Sequence, residues 1–372
     1  MSDNLSWGHY NPVRIVCASL DILDDNVGEQ HVLLVTTAGC VKRGLVQRVR
    51  GILAPRQVTV WDGVKPNPDL QDLDRASVCF RELGVGCVIG LGGGSVLDAA
   101  KVLATTLPSS AELSLRQVFR ENVTPRWAPR LPLIAIPTTS GTGAEVTPFA
   151  TVWDHELKQK HSFSGDCVYP DVALLDATLT HSLNEQNTLY PALDATSHAL
   201  ESLWNKNATP ISEAFALRAL ELLNDGLPAI IKDFSRLDCR RSLLLASCLA
   251  GIAISQTRTA VAHAISYDLT LRYGIPHGLA CSFTLPILIN EFLGSSFELD
   301  NRTRLILLDT RKMLVDLNLT QMMARYLNVK KISVNDININ LNRAGNYNGS
   351  LTLHQIIDGV KNDPFVENRP GL

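Results

Sequence analysis

A β-strand, a glycine turn and an α-helix follow one another in Cys87-Val-Ile-Gly-Leu-Gly-Gly-Gly-Ser-Val-Leu-Asp-Ala-Ala-Lys101. The first five residues of this stretch are almost continuously apolar, as is typical of a strand buried on both faces of a parallel sheet. Residues 96–106 carry apolar side chains at helical spacing, and the glycines between allow a tight turn. This unit predicts an α/β fold.

Further elements on either side of this stretch extend the prediction to two domains. Residues 31–36, 57–61 and 133–137 are predicted strands, and residues 41–53 are a predicted helix. Alternating strands and helices predict a doubly wound parallel sheet, the dinucleotide-binding α/β domain of residues 1–178. Residues 211–223, 241–255 and 261–273 are long helices rich in Ala and Leu, which predict an all-α domain of residues 179–372. The Asn-rich residues 330–350 are a predicted loop.

Composition excludes several classes of protein. Of the 372 residues, 45% are hydrophobic and 19% charged, which is typical of a globular protein and not of a disordered one. The net charge of −3 predicts no partnership with nucleic acid or with an anionic membrane. None of the eight cysteines forms a Cys-x-x-Cys pair, and the first residues do not resemble a signal peptide. We therefore expect reduced thiols and a cytoplasmic protein.

Two loops at the ends of predicted strands are suited to binding a dinucleotide. Gly92-Gly-Gly-Ser95 opens a helix, whose N-terminal N–H groups and partial positive charge favour phosphate. Pro137-Thr-Thr-Ser-Gly-Thr-Gly-Ala-Glu-Val-Thr147 offers small hydroxyls after the next strand. Each loop alone could be a plain turn, and neither matches the general dinucleotide or nucleotide fingerprints. Together, at strand ends, they favour a cofactor site.

A carboxylate and three imidazoles indicate a metal site. Asp194 and His198 lie four residues apart on one helical face, and His263 and His277 follow later in the chain. These four side chains would suit one divalent ion such as Fe²⁺ or Zn²⁺, which could polarise a carbonyl. Taken singly, His198 could pair with Asp194 on the helix surface, His263 could be a core residue, and His277 could belong to a turn.

The motifs taken together resemble those of the iron-containing (group III) alcohol dehydrogenases. The matching segments, which are specific in this order, are Asp62-Gly-Val-Lys-Pro-Asn-Pro68, residues 92–101, residues 137–147, Pro170-Asp-Val-Ala173, residues 194–201 and Pro276-His-Gly278. The resemblance implies a dehydroquinate synthase-like fold, NAD or NADP as cofactor, a small alcohol or aldehyde substrate, and a homodimer. It implies metal ligation by Asp194, His198, His263 and His277, and cofactor contacts from Asn67, Gly93, Gly94, Ser95, Asp98, Thr138, Thr139, Thr147 and Lys160.

Two departures from the family concern proton transfer and the choice between NAD and NADP. Where many members carry a second histidine one turn after the third ligand, this chain has Tyr267, whose ordinary pKa near 10 makes it a poor proton shuttle. Residues 35–39 contain no acid to bind ribose hydroxyls, so the 2′-phosphate of NADP would meet no repulsion there. Lys42 and Arg43 could attract that phosphate, or could be ordinary surface bases.

A third departure concerns the substrate. Ser255-Gln-Thr-Arg-Thr259 leads into the helix of His263, where ordinary members are small and apolar. This segment is similar to that of phosphonoacetaldehyde reductases, which form 2-hydroxyethylphosphonate, and a guanidinium suits an anionic group. We therefore name Arg258 and Tyr267 as candidate catalytic residues, while Arg258 could instead pair with a surface acid. The alternatives are a dehydrogenase for an uncharged alcohol or diol, a dehydroquinate synthase-like lyase, and a non-catalytic binding protein.

Overall fold

The computed structural model describes residues 6–28, 30–109, 113–295, 298–327, 337, 339 and 341–362. The chain forms two compact units. One, which we call the sheet unit, comprises residues 11–139 and 143–182, and the other, the helical unit, comprises residues 140–142 and the described residues before 11 and after 182. The main division therefore falls at residues 182/183, where the sequence predicted 178/179, and the short segment Ser140–Thr142 belongs to the helical unit.

The sheet unit is built on six parallel strands, which confirms the predicted parallel sheet. They are β1 (Arg14–Cys17), β2 (Val32–Val35), β3 (Val58–Trp61), β4 (Cys87–Gly92), β5 (Leu133–Pro137) and β8 (Val172–Leu175), in the order β1-β8-β5-β4-β2-β3. A separate antiparallel hairpin consists of β6 (Phe149–Asp154) and β7 (Gln159–Ser164). The predicted strands correspond to β2–β5, whereas β1, β8 and the hairpin were not predicted.

Helices cover both faces of this sheet, so the doubly wound prediction is confirmed. They are α1 (Ala38–Lys42), α2 (Leu45–Ile52), α3 (Leu70–Arg81), α4 (Gly94–Thr106) and α5 (Leu115–Arg120). Alternate residues of β2 enter opposite cores, Leu33 on one face and Leu34 on the other. The single helix predicted for residues 41–53 is wrong, because Gly44 adopts a left-handed conformation (φ 73°) that separates α1 from α2.

The strand order creates a topological switch point between β2 and β4. The chain passes from β2 outward to β3, and then returns to β4 on the other side of β2. The crevice beyond the carboxyl ends of two such strands is where ligands of open α/β sheets bind. The glycine turn at residues 92–94 and the acid-free segment at residues 35–39 both begin there.

The helical unit contains the remaining helices. They are α6 (Glu185–Leu203), α7 (Pro210–Lys232), α8 (Leu237–Thr257), α9 (Val261–Tyr273), α10 (His277–Ser282), α11 (Leu285–Gly294), α12 (Asn301–Asp316), α13 (Leu319–Met323), α14 (Leu341–Ala344) and α15 (Leu353–Lys361). Part of the loop predicted for residues 330–350 is therefore the short helix α14, and residues 330–336, 338 and 340 lie outside the described residues. None of the described helices is both long and apolar enough to cross a membrane.

Candidate active site

The first two predicted metal ligands lie on α6, a helix buried along most of its length. Asn184 caps its N-terminus by accepting a hydrogen bond from the Asn187 backbone N–H. Asp194 and His198 are buried one helical turn apart, and His198 Nε2 lies 3.6 Å from Asp194 Oδ1. The predicted spacing thus places both side chains on the same face.

The other two predicted ligands reach Asp194 from neighbouring helices. His263 lies in the first turn of α9, and its Nε2 is 3.3 Å from Asp194 Oδ1. His277 is the first residue of α10, and its Nε2 is 3.8 Å from the same oxygen. The close approach of α10 to α6 depends on Gly278, where a Cβ atom would lie 1.8 Å from the Tyr190 carbonyl oxygen.

The geometry of this cluster suits a divalent ion. Asp194, His263, His277 and Cys281 each offer a ligand atom, and these four atoms lie within 4.8 Å of one another. Among the described residues, Asp194 Oδ1 and His263 Nε2 have no hydrogen-bond partner although both are buried. Buried polar atoms normally have a partner, so a bound cation would account for these two. The cluster differs from the predicted set in containing Cys281 and not His198, whose ligand role stays a prediction.

The ionisation of the site favours metal binding. Burial lowers the pKa of His198 to about 4, so the imidazole is neutral at pH 7 and keeps a lone pair for a metal. Burial raises the pKa of Asp194, but the neighbouring His198 and His263 outweigh that effect and hold it below its ordinary value. The site therefore presents a carboxylate beside a neutral imidazole, as metal binding requires.

Glu201, which was not singled out from the sequence, is buried and holds His263 by hydrogen bonds. Its Oε2 lies 2.6 Å from His263 Nδ1, and its carboxylate also accepts hydrogen bonds from the backbone N–H groups of Ala260 and Ala262. Because a carboxylate only accepts, Nδ1 of His263 carries the proton and Nε2 faces Asp194. The available signal was its position, one turn after His198 on the ligand face of α6.

Tyr267 lies between His277 of the candidate metal site and Arg343. Its ring stacks on that of His277, with centroids 5.9 Å apart and planes 6° apart. The guanidinium of Arg343, on α14, lies 5.2 Å from the centre of the Tyr267 ring and donates a hydrogen bond to Thr259 Oγ1 at 2.6 Å. Arg343 was not predicted, because the helix that carries it begins some 80 residues after Thr259.

Arg258 has a backbone conformation that an arginine rarely adopts. It follows the last residue of α8 with φ 63° and ψ 176°, a region occupied almost entirely by glycine. Its carbonyl oxygen accepts hydrogen bonds from Asn205 Nδ2 and Thr257 Oγ1, both at 3.0 Å, and its side chain is exposed. The neighbouring Thr259 is buried and accepts the hydrogen bond from Arg343, so one guanidinium group contacts the residue that directly follows Arg258.

Several of the predicted cofactor residues of the sheet unit lie together beyond β4 and β5. Gly93 precedes α4, and a Cβ added to it would lie 3.2 Å from Thr139 Oγ1. The Thr138 N–H bonds to the Gly92 carbonyl, and the Asn67 N–H donates to Ser95 Oγ at 3.3 Å. Asn67 also lines a cavity of about 200 Å³ together with residues 61, 63–66, 68, 69, 72, 73 and 155. These contacts place the glycine turn, the hydroxyl loop and the Asn67 segment side by side.

The remaining cofactor candidates have protein partners. The Asp98 carboxylate accepts a hydrogen bond from the Thr151 N–H at 2.9 Å, and burial raises its pKa. Thr147 Oγ1 accepts one from the buried Lys101 ammonium at 3.0 Å. Lys160 lies over the Trp153 ring, 5.7 Å from its centre. The Asp98 contact joins α4 to β6, the Thr147 contact joins α4 to the segment before β6, and the Lys160 contact lies within the hairpin. The cofactor role of the three residues stays a prediction.

The acid-free end of β2 lies at the switch point. Thr36 Oγ1 donates to the Leu91 carbonyl at 2.7 Å, which joins the carboxyl ends of β2 and β4. Arg43 Nη1 donates to the Leu179 carbonyl at 3.0 Å and to Ser182 Oγ at 3.3 Å, so its guanidinium is engaged within the protein. Lys42 is exposed, and of the two bases it is the better candidate to meet a 2′-phosphate.

Comparison with known proteins connects both units to one family. Residues 14–177 match the sequence model "Iron-containing alcohol dehydrogenase", and residues 188–325 match "Fe-containing alcohol dehydrogenase family, C-terminal". The chain is 35% identical to "Probable alcohol dehydrogenase EutG" of Escherichia coli (strain K12) over 261 residues, which are 70% of this chain and 65% of that protein. The chain therefore spans just under two thirds of the length of that relative.

Two sulfoacetaldehyde reductases are also similar. That of Bilophila wadsworthia (strain 3_1_6) is 32% identical over 263 residues, which are 70% of this chain and 67% of that protein. The crystal structure of the enzyme from Bifidobacterium kashiwanohense, in complex with NAD⁺, superimposes with a TM-score of 0.80 at 26% identity. This match covers 99% of the present chain and 95% of the other. The predicted dehydroquinate synthase-like fold is thereby confirmed.

Proposed function

Because the chain belongs to the iron-containing alcohol dehydrogenase family, we propose that it reduces a small anionic aldehyde with NAD(P)H at a divalent metal ion. The family uses NAD(P) and a divalent metal, and the two halves of that requirement correspond to the switch-point loops and the Asp194 cluster. Within this class, phosphonoacetaldehyde, reduced to 2-hydroxyethylphosphonate, is the substrate that we propose first.

The proposal of an anionic substrate rests on the backbone conformation of Arg258. A non-glycine residue in this conformation costs about 1–3 kcal/mol, and such strain clusters at functional sites. The strain is retained at the residue that precedes the buried Thr259, five positions before His263. A side chain kept at that cost and left exposed is suited to bind a ligand through its planar guanidinium.

Arg343 supports a doubly charged substrate group. It is bonded to Thr259 and stacked on Tyr267, so it brings a second positive charge to the segment that carries Arg258. A phosphonate approaches two negative charges at neutral pH, whereas a sulfonate carries one. The charge of Arg343, added to that of Arg258 in the adjoining segment, therefore favours the phosphonate, although the similar sulfoacetaldehyde reductases make sulfoacetaldehyde the second candidate.

The chemistry assigned to each part of the site follows from its groups. A bound divalent ion supplies Lewis-acid polarisation of the aldehyde oxygen. Asp194 and the neutral imidazoles would hold that ion, and Glu201 fixes the orientation and tautomer of His263. Tyr267, stacked between His277 and Arg343, would position the substrate beside the ion, while the arginines bind its anionic end.

Substitution of Arg258 tests this proposal by two independent measurements, the kcat/KM for charged and neutral aldehydes and the stability of the protein. In Arg258→Ala and Arg258→Gly, loss of a charged hydrogen bond of about 1.5–3 kcal/mol should lower kcat/KM for phosphonoacetaldehyde by roughly 10- to 100-fold. Activity on propionaldehyde should be retained. Arg258→Gly should also stabilise the protein by ~1 kcal/mol, since relief of strain outweighs the entropy cost of glycine. Arg258→Lys should rescue in part, because it keeps the charge but loses the fork.

The control is Arg272→Ala on α9, which removes an arginine paired with Asp268 and should leave both activities unchanged. Equal losses on charged and neutral aldehydes would show that Arg258 is structural. High activity of the wild-type protein on neutral aldehydes or diols only would favour the uncharged-substrate alternative. A higher kcat/KM for sulfoacetaldehyde than for phosphonoacetaldehyde would favour the second candidate. The homodimer and the cytoplasmic location stay predictions.

A further inference from the structure

Cys281 is a buried thiol within the candidate metal site. It lies one turn after His277 on α10 and has no solvent exposure. Its Sγ is 3.6 Å from His277 Nε2. It also lies within 4.8 Å of a ligand atom of Asp194 and of a ligand atom of His263. We propose that the thiolate of Cys281 is a ligand of the metal ion. This inference depends on the metal site of the proposed function and not on its substrate.

The distances agree with coordination by these four groups. Ligand atoms on a tetrahedral ion with bonds of about 2.0–2.3 Å are separated by about 3.3–3.8 Å. His263 Nε2 and His277 Nε2 lie 3.3 Å and 3.8 Å from Asp194 Oδ1, and Cys281 Sγ lies 3.6 Å from His277 Nε2. These three separations fall in that range, and all four ligand atoms lie within 4.8 Å of one another.

Two buried atoms of this site would gain a partner from a bound cation. Asp194 Oδ1 and His263 Nε2 are buried, face the cluster, and lack a hydrogen-bond partner among the described residues. The side chain of Asp194 is 6% exposed and that of His263 is 2% exposed. The proposal therefore rests on a carboxylate and two imidazoles that converge with the cysteine. His198 Nε2 lies 3.6 Å from Asp194 Oδ1, so its imidazole would be a fifth ligand if it bound the same ion.

A sulfur ligand would alter which metal the site prefers. Binding replaces the thiol proton by the metal ion, forms a metal–sulfur bond and releases the proton to solvent. Thiolates favour borderline and soft ions, and Zn²⁺ is commonly held by mixed cysteine and histidine sets. We therefore expect the protein to bind Zn²⁺ in preference to Fe²⁺.

The test requires no substrate. Co²⁺-loaded wild-type protein should show a sulfur-to-cobalt charge-transfer band in the near ultraviolet, and Cys281→Ser should lose that band while keeping visible cobalt absorption. Cys239→Ser, which removes another buried thiol of the helical unit, should keep both. Zinc affinity, measured by chelator competition, should fall roughly tenfold or more in Cys281→Ser and stay unchanged in Cys239→Ser.

X-ray absorption of the zinc-loaded wild-type protein makes the test independent of any variant. One sulfur scatterer at about 2.3 Å is expected beside nitrogen and oxygen at about 2.0–2.2 Å. A shell of nitrogen and oxygen only, or a charge-transfer band that survives in Cys281→Ser, would overturn the proposal. Neither measurement involves aldehyde turnover, so failure here is distinct from failure of the substrate assignment.

Discussion

The contact of Gly278 with α6 provides the sharpest test of how the metal site is assembled. A Cβ atom at position 278 would lie 1.8 Å from the Tyr190 carbonyl oxygen, 2.8 Å from the Tyr190 carbonyl carbon and 3.1 Å from the Asp194 nitrogen. All three are backbone atoms of the helix that carries Asp194 and His198, so no rotation of a side chain relieves the overlap. Gly278→Ala must therefore move α10 away from α6.

The size of that movement predicts a loss of metal affinity. The distance between Cβ and the carbonyl oxygen has to grow from 1.8 Å to the 3.4 Å of ordinary contact, and His277 is the adjacent residue. Metal–ligand distances tolerate deviations of only about 0.2 Å. We expect zinc affinity to fall by roughly 100-fold or more, beyond what loss of an outer-shell contact costs. Overpacking should also lower the free energy of unfolding by ~1–3 kcal/mol.

The assay is zinc binding by chelator competition, together with urea unfolding of the metal-free protein. Gly294→Ala is the matched control, because a Cβ there would meet nothing within 4 Å. Gly274→Ala separates strain from overlap, since its φ is +65° but its Cβ would also meet nothing. If Gly278→Ala bound zinc within about threefold of Gly294→Ala, the inferred dependence of the ligand geometry on this contact would be refuted.

Three further predictions concern the sheet unit. Gly94→Val should raise the KM for the dinucleotide at least tenfold in a folded protein, because a branched side chain blocks approach to the pyrophosphate; an unchanged KM would contradict it. NADPH should be used at least as well as NADH, since residues 35–39 offer no acid; kcat/KM for the two cofactors decides. Burial raises the pKa of Glu145 to about 7, so the folded state holds this proton longer than the unfolded chain does. Stability should therefore fall as pH rises from about 4.5 to 7, by up to about 3 kcal/mol, and Glu145→Gln should flatten that slope in urea unfolding.

Local periodicity determined most of what the sequence could say about the fold. The apolar run of β4, the glycine turn and α4 were predicted because short-range burial and backbone freedom dictate them. The pairing of Asp194 with His198 followed from helical spacing alone. The hairpin β6–β7 and the division between α1 and α2 escaped prediction, because a short polar strand and a single left-handed glycine leave weak patterns.

The composition of the site was decided by tertiary packing. His263, His277 and Cys281 meet Asp194 only because α9 and α10 pack on α6, and that approach depends on a glycine whose partner lies some 90 residues away. Glu201 and Arg343 likewise take their roles from contacts with residues far along the chain. Sequence spacing specifies which residues share one helical face, whereas the meeting of several faces depends on long-range packing that no local pattern records.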